Sequence, residues 1–304
     1  MILVVCPNPS VDTFVYVNDF QKGKTNRSYE EVSFPGGKGV HVALAIAELG
    51  EEVTLLGFWG GTEGEWIIQQ CTSKYGIQCY GPHVDSSSRR CITLKTNNEF
   101  DETELLGVGP AISTTNFNNY LSIYKLLLKE TDLIVFSGSW SRGVGDDSYA
   151  QLAKIASSKN IPIIVDASGE QLKNVLNENI QGIHLNTTES KELNGIDNPI
   201  EQTKSISKKV NISAITAGKD GLYLAVNKEV LHGNVKIDNV ISAVGSGDCL
   251  TAGLVVAIKN NYSAENMARL SVACGAANCL RDELGMIYKK DVDKLFNKVI
   301  ITKY

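Results

Sequence analysis

Short, nearly continuous apolar runs recur along the chain: ILVV at 2–5, VTLLGF at 53–58, DLIVFSG at 132–138, IPIIVD at 161–166 and ISAITAG at 212–218. They are rich in β-branched residues, and runs of this length suit strands covered on both faces, as in a parallel sheet. Between them the pattern predicts helices near 38–49, 62–75, 116–129, 146–159, 168–178 and 199–210. Three more are predicted near 248–259, 263–281 and 290–299. Such alternation predicts βαβ units wound into an open, mostly parallel α/β sheet. Two segments break the pattern. Residues 11–34 and 88–107 alternate in polarity and read as β-hairpins inserted between units of the main sheet. They predict one domain over 1–304 with a small discontinuous β-lid, which would shield a reaction from water.

The segments that should follow the strands carry much of the Gly, Asp, Asn and Ser: NPSVD (8–12), SGSWSRG (137–143), DASGE (166–170), NTTES (186–190) and TAGKDG (216–221). Ligands of open sheets bind beyond the carboxyl ends of the strands, so this concentration points to a ligand site there.

Composition narrows the classes. With 43% hydrophobic and 21% charged residues among 304, the chain is an ordinary globular one. A net charge of −5 without a long basic run argues against a nucleic-acid partner. No apolar stretch has membrane-span length, and MILVVCPNPS reads as a buried strand, not a signal peptide. The 7 cysteines are scattered without C-x-x-C, which argues against a disulfide framework or structural zinc and fits a reducing cytoplasm.

Two motifs carry chemistry. In AVGSGDCLTAGL (243–254), Gly245, Ser246 and Gly247 can turn several N–H groups toward one point just where a helix begins. The free amides and the helix dipole make such a turn an anion site. Asp248 at the helix start could take a proton from an attacking hydroxyl while the amides stabilise a transferring phosphoryl group. The plain alternative is an N-cap after a tight turn. In FPGGKGVHVALAIAELG (34–50), Gly36, Gly37 and Gly39 permit close approach of a ligand to the backbone. Lys38 opposes the dipole of the helix it opens, which a binding role would explain; the alternative is a solvated loop lysine. His41 lies one turn further on, where a lone histidine is more often packed than metal-bound.

The joint order of NPSVD, Asn26-Arg27, GGKG before a helix, SGS after a middle strand, Asn186-x-x-Glu189, T-x-G-x-x-G at 216–221 and GSGD resembles the ribokinase-like (PfkB) carbohydrate kinases. Within them it is most similar to the 1-phosphofructokinase and tagatose-6-phosphate kinase branch. The resemblance implies a ribokinase-like doubly wound fold and ATP-dependent phosphotransfer to a sugar-phosphate hydroxyl, with Mg²⁺. It implies Asp248 as catalytic base, with Gly245, Ser246 and Gly247 as the anion hole. Asp12, Gly37, Lys38, His41 and Ser139 would hold the sugar, and Arg27 and Arg89 its existing phosphate. Asn186 and Glu189 would position magnesium and phosphates, the metal being held by Glu189 through water. Thr216, Gly218 and Gly221 match the nucleotide loop, and Asn278 falls on a helix that lines the adenine pocket in relatives. A homodimer through the lid is also implied.

Four departures qualify this. The branch usually has Asn where this chain has His41. Its lid strand usually carries Arg-x-Asn-x-Lys, whereas SRRCITLK places Cys91 and Thr93 there if Arg89 is in frame. Arg90 could take that place instead, and a one-residue slip reverses the faces. The usual Lys-Pro before Asn186 is His184-Leu185, and Cys249 replaces a common small residue. Two other readings follow: a kinase of an unphosphorylated sugar or nucleoside, and a catalytically silent sugar- or nucleotide-binding sensor.

Overall fold

The computed structural model describes residues 1–304. Ten strands form one sheet. From one edge they run Gln78–Tyr80, Val53–Gly57, Ile2–Cys6, Leu133–Ser137, Ile163–Asp166, Gly182–Asn186 and Ile212–Thr216, all parallel. Leu222–Val226, Glu229–Asn234 and Ile300–Lys303 complete the other edge as antiparallel strands. The five sequence-predicted strands lie within this sheet.

Period-2 alternation divides the strands between two cores. Ile2, Val4 and Cys6 face one side, with Lys38–Glu48, Ser246–Lys259 and Ala264–Asn278 packed over them. Leu3 and Val5 face the other, under Thr114–Leu127, Ser148–Ser157 and Pro199–Ile206. Coverage of both faces is why the strands read as unbroken apolar runs.

The nine predicted helices are present, with ends displaced by a few residues. Several elements escaped the sequence reading. Gly182–Asn186 has His184 at its centre, and the helix Thr187–Asn194 follows at once. The hairpin of Leu222–Val226 and Glu229–Asn234 turns on Asn227 and Lys228, at φ 50 and 74. That turn lacks the glycine that usually marks such a hairpin.

The two inserted hairpins meet in a four-stranded sheet, ordered Glu30–Gly36, Ser10–Tyr16, Arg89–Lys95, Glu104–Leu106. The central pair is parallel and sets Ser10 opposite Arg89 and Asp12 opposite Cys91. This register fixes which side chains of the lid look down on the main sheet.

Candidate active site

The chain begins in the sheet centre, winds to one edge, then crosses back to Leu133–Ser137 on the other side of Ile2–Cys6. Ligand crevices form beyond the carboxyl ends of strands at such a reversal. A cleft of about 1210 Å³ lies at that end, roofed by the lid and lined by Asp12, Lys38, Arg89, Ser139, Thr216 and Asp248, among others.

The helix Ser246–Lys259 points its N-terminus into the cleft. Gly245 caps it at φ 83, and a Cβ there would lie 2.8 Å from Gly285 backbone, so conformation and packing both demand glycine. Ser246 N donates to Ala243 O at 3.1 Å, while the amides of Gly247 and Asp248 have no backbone acceptor. Free amides at a helix start are an anion site.

Asp248 is 8% exposed beside them. Burial pushes its carboxyl above the usual range, and His41 opposes that push. His41 Nδ1 lies 2.8 Å from Asp248 Oδ2, and His41 Nε2 lies 3.4 Å from Asp12 Oδ2. Asp12 is fixed further by Ser10 Oγ, which donates to Oδ1 at 2.6 Å, and by Gly37 N, which donates to Oδ2 at 3.2 Å. Burial alone would raise the Asp12 carboxyl, but these bonds and the His41 charge hold it below its ordinary value.

A second ionic cluster forms the floor. Lys38 Nζ lies 3.5 Å from Asp166 Oδ1 and 3.7 Å from Glu189 Oε1. Asp166 is 1% exposed and also meets Ser137 Oγ at 3.1 Å and His184 Nδ1 at 3.3 Å. Burial would raise this carboxyl, yet Lys38, His184 and Ser137 together hold it well below the carboxylate range. The Asp166 charge in turn raises Lys38, so the pair is ionised at neutral pH. His184 extends the network to Thr251 Oγ1 at 3.0 Å and Thr216 Oγ1 at 3.3 Å. Sequence reasoning gave neither Asp166 nor His184 a role. The concentration of polar residues after the strand at 163–166 was the available signal.

Asn186 and Glu189 form a capping box: Glu189 N donates to Asn186 Oδ1 at 2.8 Å, and Asn186 N donates to Glu189 Oε2 at 3.0 Å. The cap leaves Glu189 Oε1 turned toward Lys38, and both residues line the cleft. Gly37, Lys38, His41, Ser139, Gly218, Gly221 and Gly245–Gly247 line it too.

The lid register separates the two arginines. Arg89 shares the cleft-facing side with Ser10, Asp12, Cys91 and Thr93; its Nε donates to Asn8 O at 3.1 Å, leaving the Nη groups uncommitted. Arg90 points outward to Glu63 Oε1 at 3.0 Å.

Two expected site residues are not brought to the cleft. Arg27 is exposed in the loop beyond the Tyr16–Tyr29 backbone bond. That bond lies four residues up the lid strand from Asp12, about 13 Å of strand rise away. Asn278 is 1% exposed and is a strut: its Nδ2 donates to Val244 O at 2.9 Å, behind the anion loop. Its helix turns Val272, Gly275, Ala276 and Cys279 to the cleft instead. Those four share one face, and Asn278 lies about 110° round from it.

The profile of the pfkB family carbohydrate kinases matches residues 7–287. The chain is 31% identical over 310 residues to 1-phosphofructokinase of Bacillus subtilis, covering 100% of both chains. It is 29% identical over 308 residues to tagatose-6-phosphate kinase of Staphylococcus epidermidis, covering 98% of each. Escherichia coli phosphofructokinase-2 in complex with fructose-6-phosphate superposes with a TM-score of 0.86 over 97% of this chain and 98% of that one, at 24% identity. The ribokinase-like architecture, the carboxylate beside a helix-start anion loop and a family match across most of the chain converge, and the protein belongs to the pfkB family of carbohydrate kinases.

Proposed function

We propose that the chain transfers the γ-phosphoryl group of ATP to a free hydroxyl of a ketohexose phosphate, in the manner of a tagatose-6-phosphate kinase or a 1-phosphofructokinase. The observation that carries this is the position of Asp248 beside the open amides of Gly247 and of its own backbone, in one cleft with Asp12, Lys38 and Arg89. Asp12 takes hydroxyls of the sugar, and the uncommitted Nη groups of Arg89 take its phosphate. The acceptor oxygen attacks phosphorus, its O–H proton passes to Asp248, and the bond to the β,γ-bridging oxygen breaks with its electron pair leaving on ADP. The open amides of Gly247 and Asp248, with Lys38, face the charge on the transferring group, while the Ser246 amide, expected there as well, is already committed to Ala243 O. Thr216, Gly218 and Gly221 border the nucleotide end of the cleft.

Magnesium fits this donor set. Mg²⁺ favours one or two carboxylates completed by water and substrate phosphates, and Glu189 offers one uncapped carboxylate oxygen at the cleft. Glu189 would hold the ion through water, and the ion when bound neutralises charge on the phosphate oxygens.

One observation favours a second reading, a kinase of an unphosphorylated sugar. Arg89 is the one lid cation on the cleft, and Glu102 and Glu104 share its wall. A panel of ketose phosphates and free sugars with ATP and Mg²⁺ tests both readings. ADP release with a ketose phosphate supports the first, and release with free sugars alone replaces it by the second. Asp248→Asn should lower turnover at least a thousandfold, ~10³, while nucleotide binding persists; retained turnover removes Asp248 from the role of base.

The same proposal includes a homodimer through the lid, supported by the edge strand at Leu105 and Leu106, 60% and 65% exposed. Light scattering checks it. A cytoplasmic setting belongs to it as well, supported by seven free cysteines. No helix is long and apolar enough to cross a membrane.

A further inference from the structure

One imidazole ring lies between two carboxylates of the cleft, hydrogen-bonded to Asp248 and at ion-pair distance from Asp12. His41 reaches Asp248 Oδ2 with Nδ1 at 2.8 Å and Asp12 Oδ2 with Nε2 at 3.4 Å. Nε2 makes no hydrogen bond, its approach to Asp12 being an ion-pair contact, and the residue is 4% exposed. Gly285 closes over the ring so tightly that a Cβ there would lie 2.2 Å from Cγ. A neutral imidazole has one N–H, which the bond to Asp248 uses; only an imidazolium also turns an N–H and a positive charge toward Asp12.

We propose that His41 is a cationic positioning residue, an imidazolium that holds Asp248 ionised and aimed at the acceptor hydroxyl while its second N–H steadies Asp12. This rests on the reading of Asp248 as the base. Asp248 Oδ2 is taken by the ring, so Oδ1 receives the hydroxyl proton. The O–H bond breaks as the O–P bond forms, and His41 keeps both of its own protons, outside the transfer path.

Burial drives a carboxylate toward its neutral form, and neighbouring negative charge drives it further. The charged and titratable groups facing the pair are Asp12 and Cys91 of the lid, Glu104 of the lid edge, and Asp166 and His184 of the floor. Lys38 shares the helix of His41. The carboxylates all disfavour ionised Asp248; His41 and Lys38 oppose them, and His41 is in direct contact. Burial would lower the His41 pKa, but its bonds to Asp12 and Asp248 push it up to about 10. The second carboxylate therefore keeps the cation in place, and the cation keeps the base charged.

Two measurements on the full chain test this. In protein labelled with ¹⁵N-histidine, one of the 4 histidines, identified by its loss in His41→Gln, should show both ring nitrogens protonated at about pH 8. His41→Gln also keeps an N–H donor without the charge. The acid limb of its turnover–pH profile should move up by about one unit, with activity recovering as pH rises. A neutral His41 ring at about pH 8, or an unmoved acid limb, overturns the proposal. The labelled spectrum needs neither the variant's activity nor the role of Asp248. A failure of Asp248 as base, seen with Asp248→Asn, is thus distinguishable from a failure of His41 as cation.

Discussion

Gly285 and His41 touch so closely that a methyl group on the glycine would sit 2.2 Å from the imidazole Cγ, and Gly285 has φ 66. The turn after the last cleft helix therefore sets the ring plane, and through it the direction of Asp248.

Gly285→Ala should strain the backbone and push the ring off Asp248. The expected result is a stability loss of about 1–3 kcal/mol and at least a tenfold, ~10×, fall in turnover, read by melting and steady-state kinetics. Gly23→Ala is the matched control. Gly23 has φ 76 and nothing within 4 Å of the point where a methyl group would sit, so it should carry the backbone strain without the kinetic defect.

Arg89→Ala should raise KM for the sugar phosphate about tenfold or more with a smaller effect on kcat, because it would remove the proposed charge-assisted contact to the substrate phosphate. Arg90→Ala should leave both constants within about twofold, because its partner Glu63 lies outside the cleft and exposed pairs contribute little. Initial-rate measurements on the two variants check this, and equal effects would contradict the lid register.

Asp166 should make stability fall in acid. Its folded pKa is depressed by Lys38, His184 and Ser137, so its contribution is fully present above the ordinary carboxylate pKa near ~4 and is lost as pH falls through the folded value. Asp166→Asn should cost about 2–3 kcal/mol at neutral pH, since it leaves Lys38 without its buried partner. It should also flatten the loss of stability between about pH 5 and 3. Urea midpoints across that range, compared between variant and parent, measure both effects.

The fold was legible where burial imposes a pattern. Leu3 and Val5 pack on one core and Ile2 and Val4 on the other, so the strand could only read as an unbroken apolar run. Asp248 and the turn before it were legible because a helix that opens on bare amides needs glycine there. Legibility failed where tertiary register decides. Arg89 and Arg90 are equivalent until the lid strand is paired with Ser10–Tyr16. Asn278 lies on the correct helix but on the wrong face, and Arg27 on the correct hairpin but at its far end. His184 and Asp166 are distant in sequence and acquire a joint role only when adjacent parallel strands set them side by side.

The crossing of the chain in mid-sheet also divides the labour of the cleft by chain half. Asp12, Lys38, His41 and Arg89 come from the first 95 residues, and Asn186, Glu189, Thr216 and the 245–248 turn from beyond residue 180. Under the proposed roles, the groups that would hold the acceptor come mostly from the first stretch, whereas the nucleotide loop and the base Asp248 come from the second. The link between Asp248 and His41 spans that divide, so any recombination of halves between relatives must carry a matched pair across it.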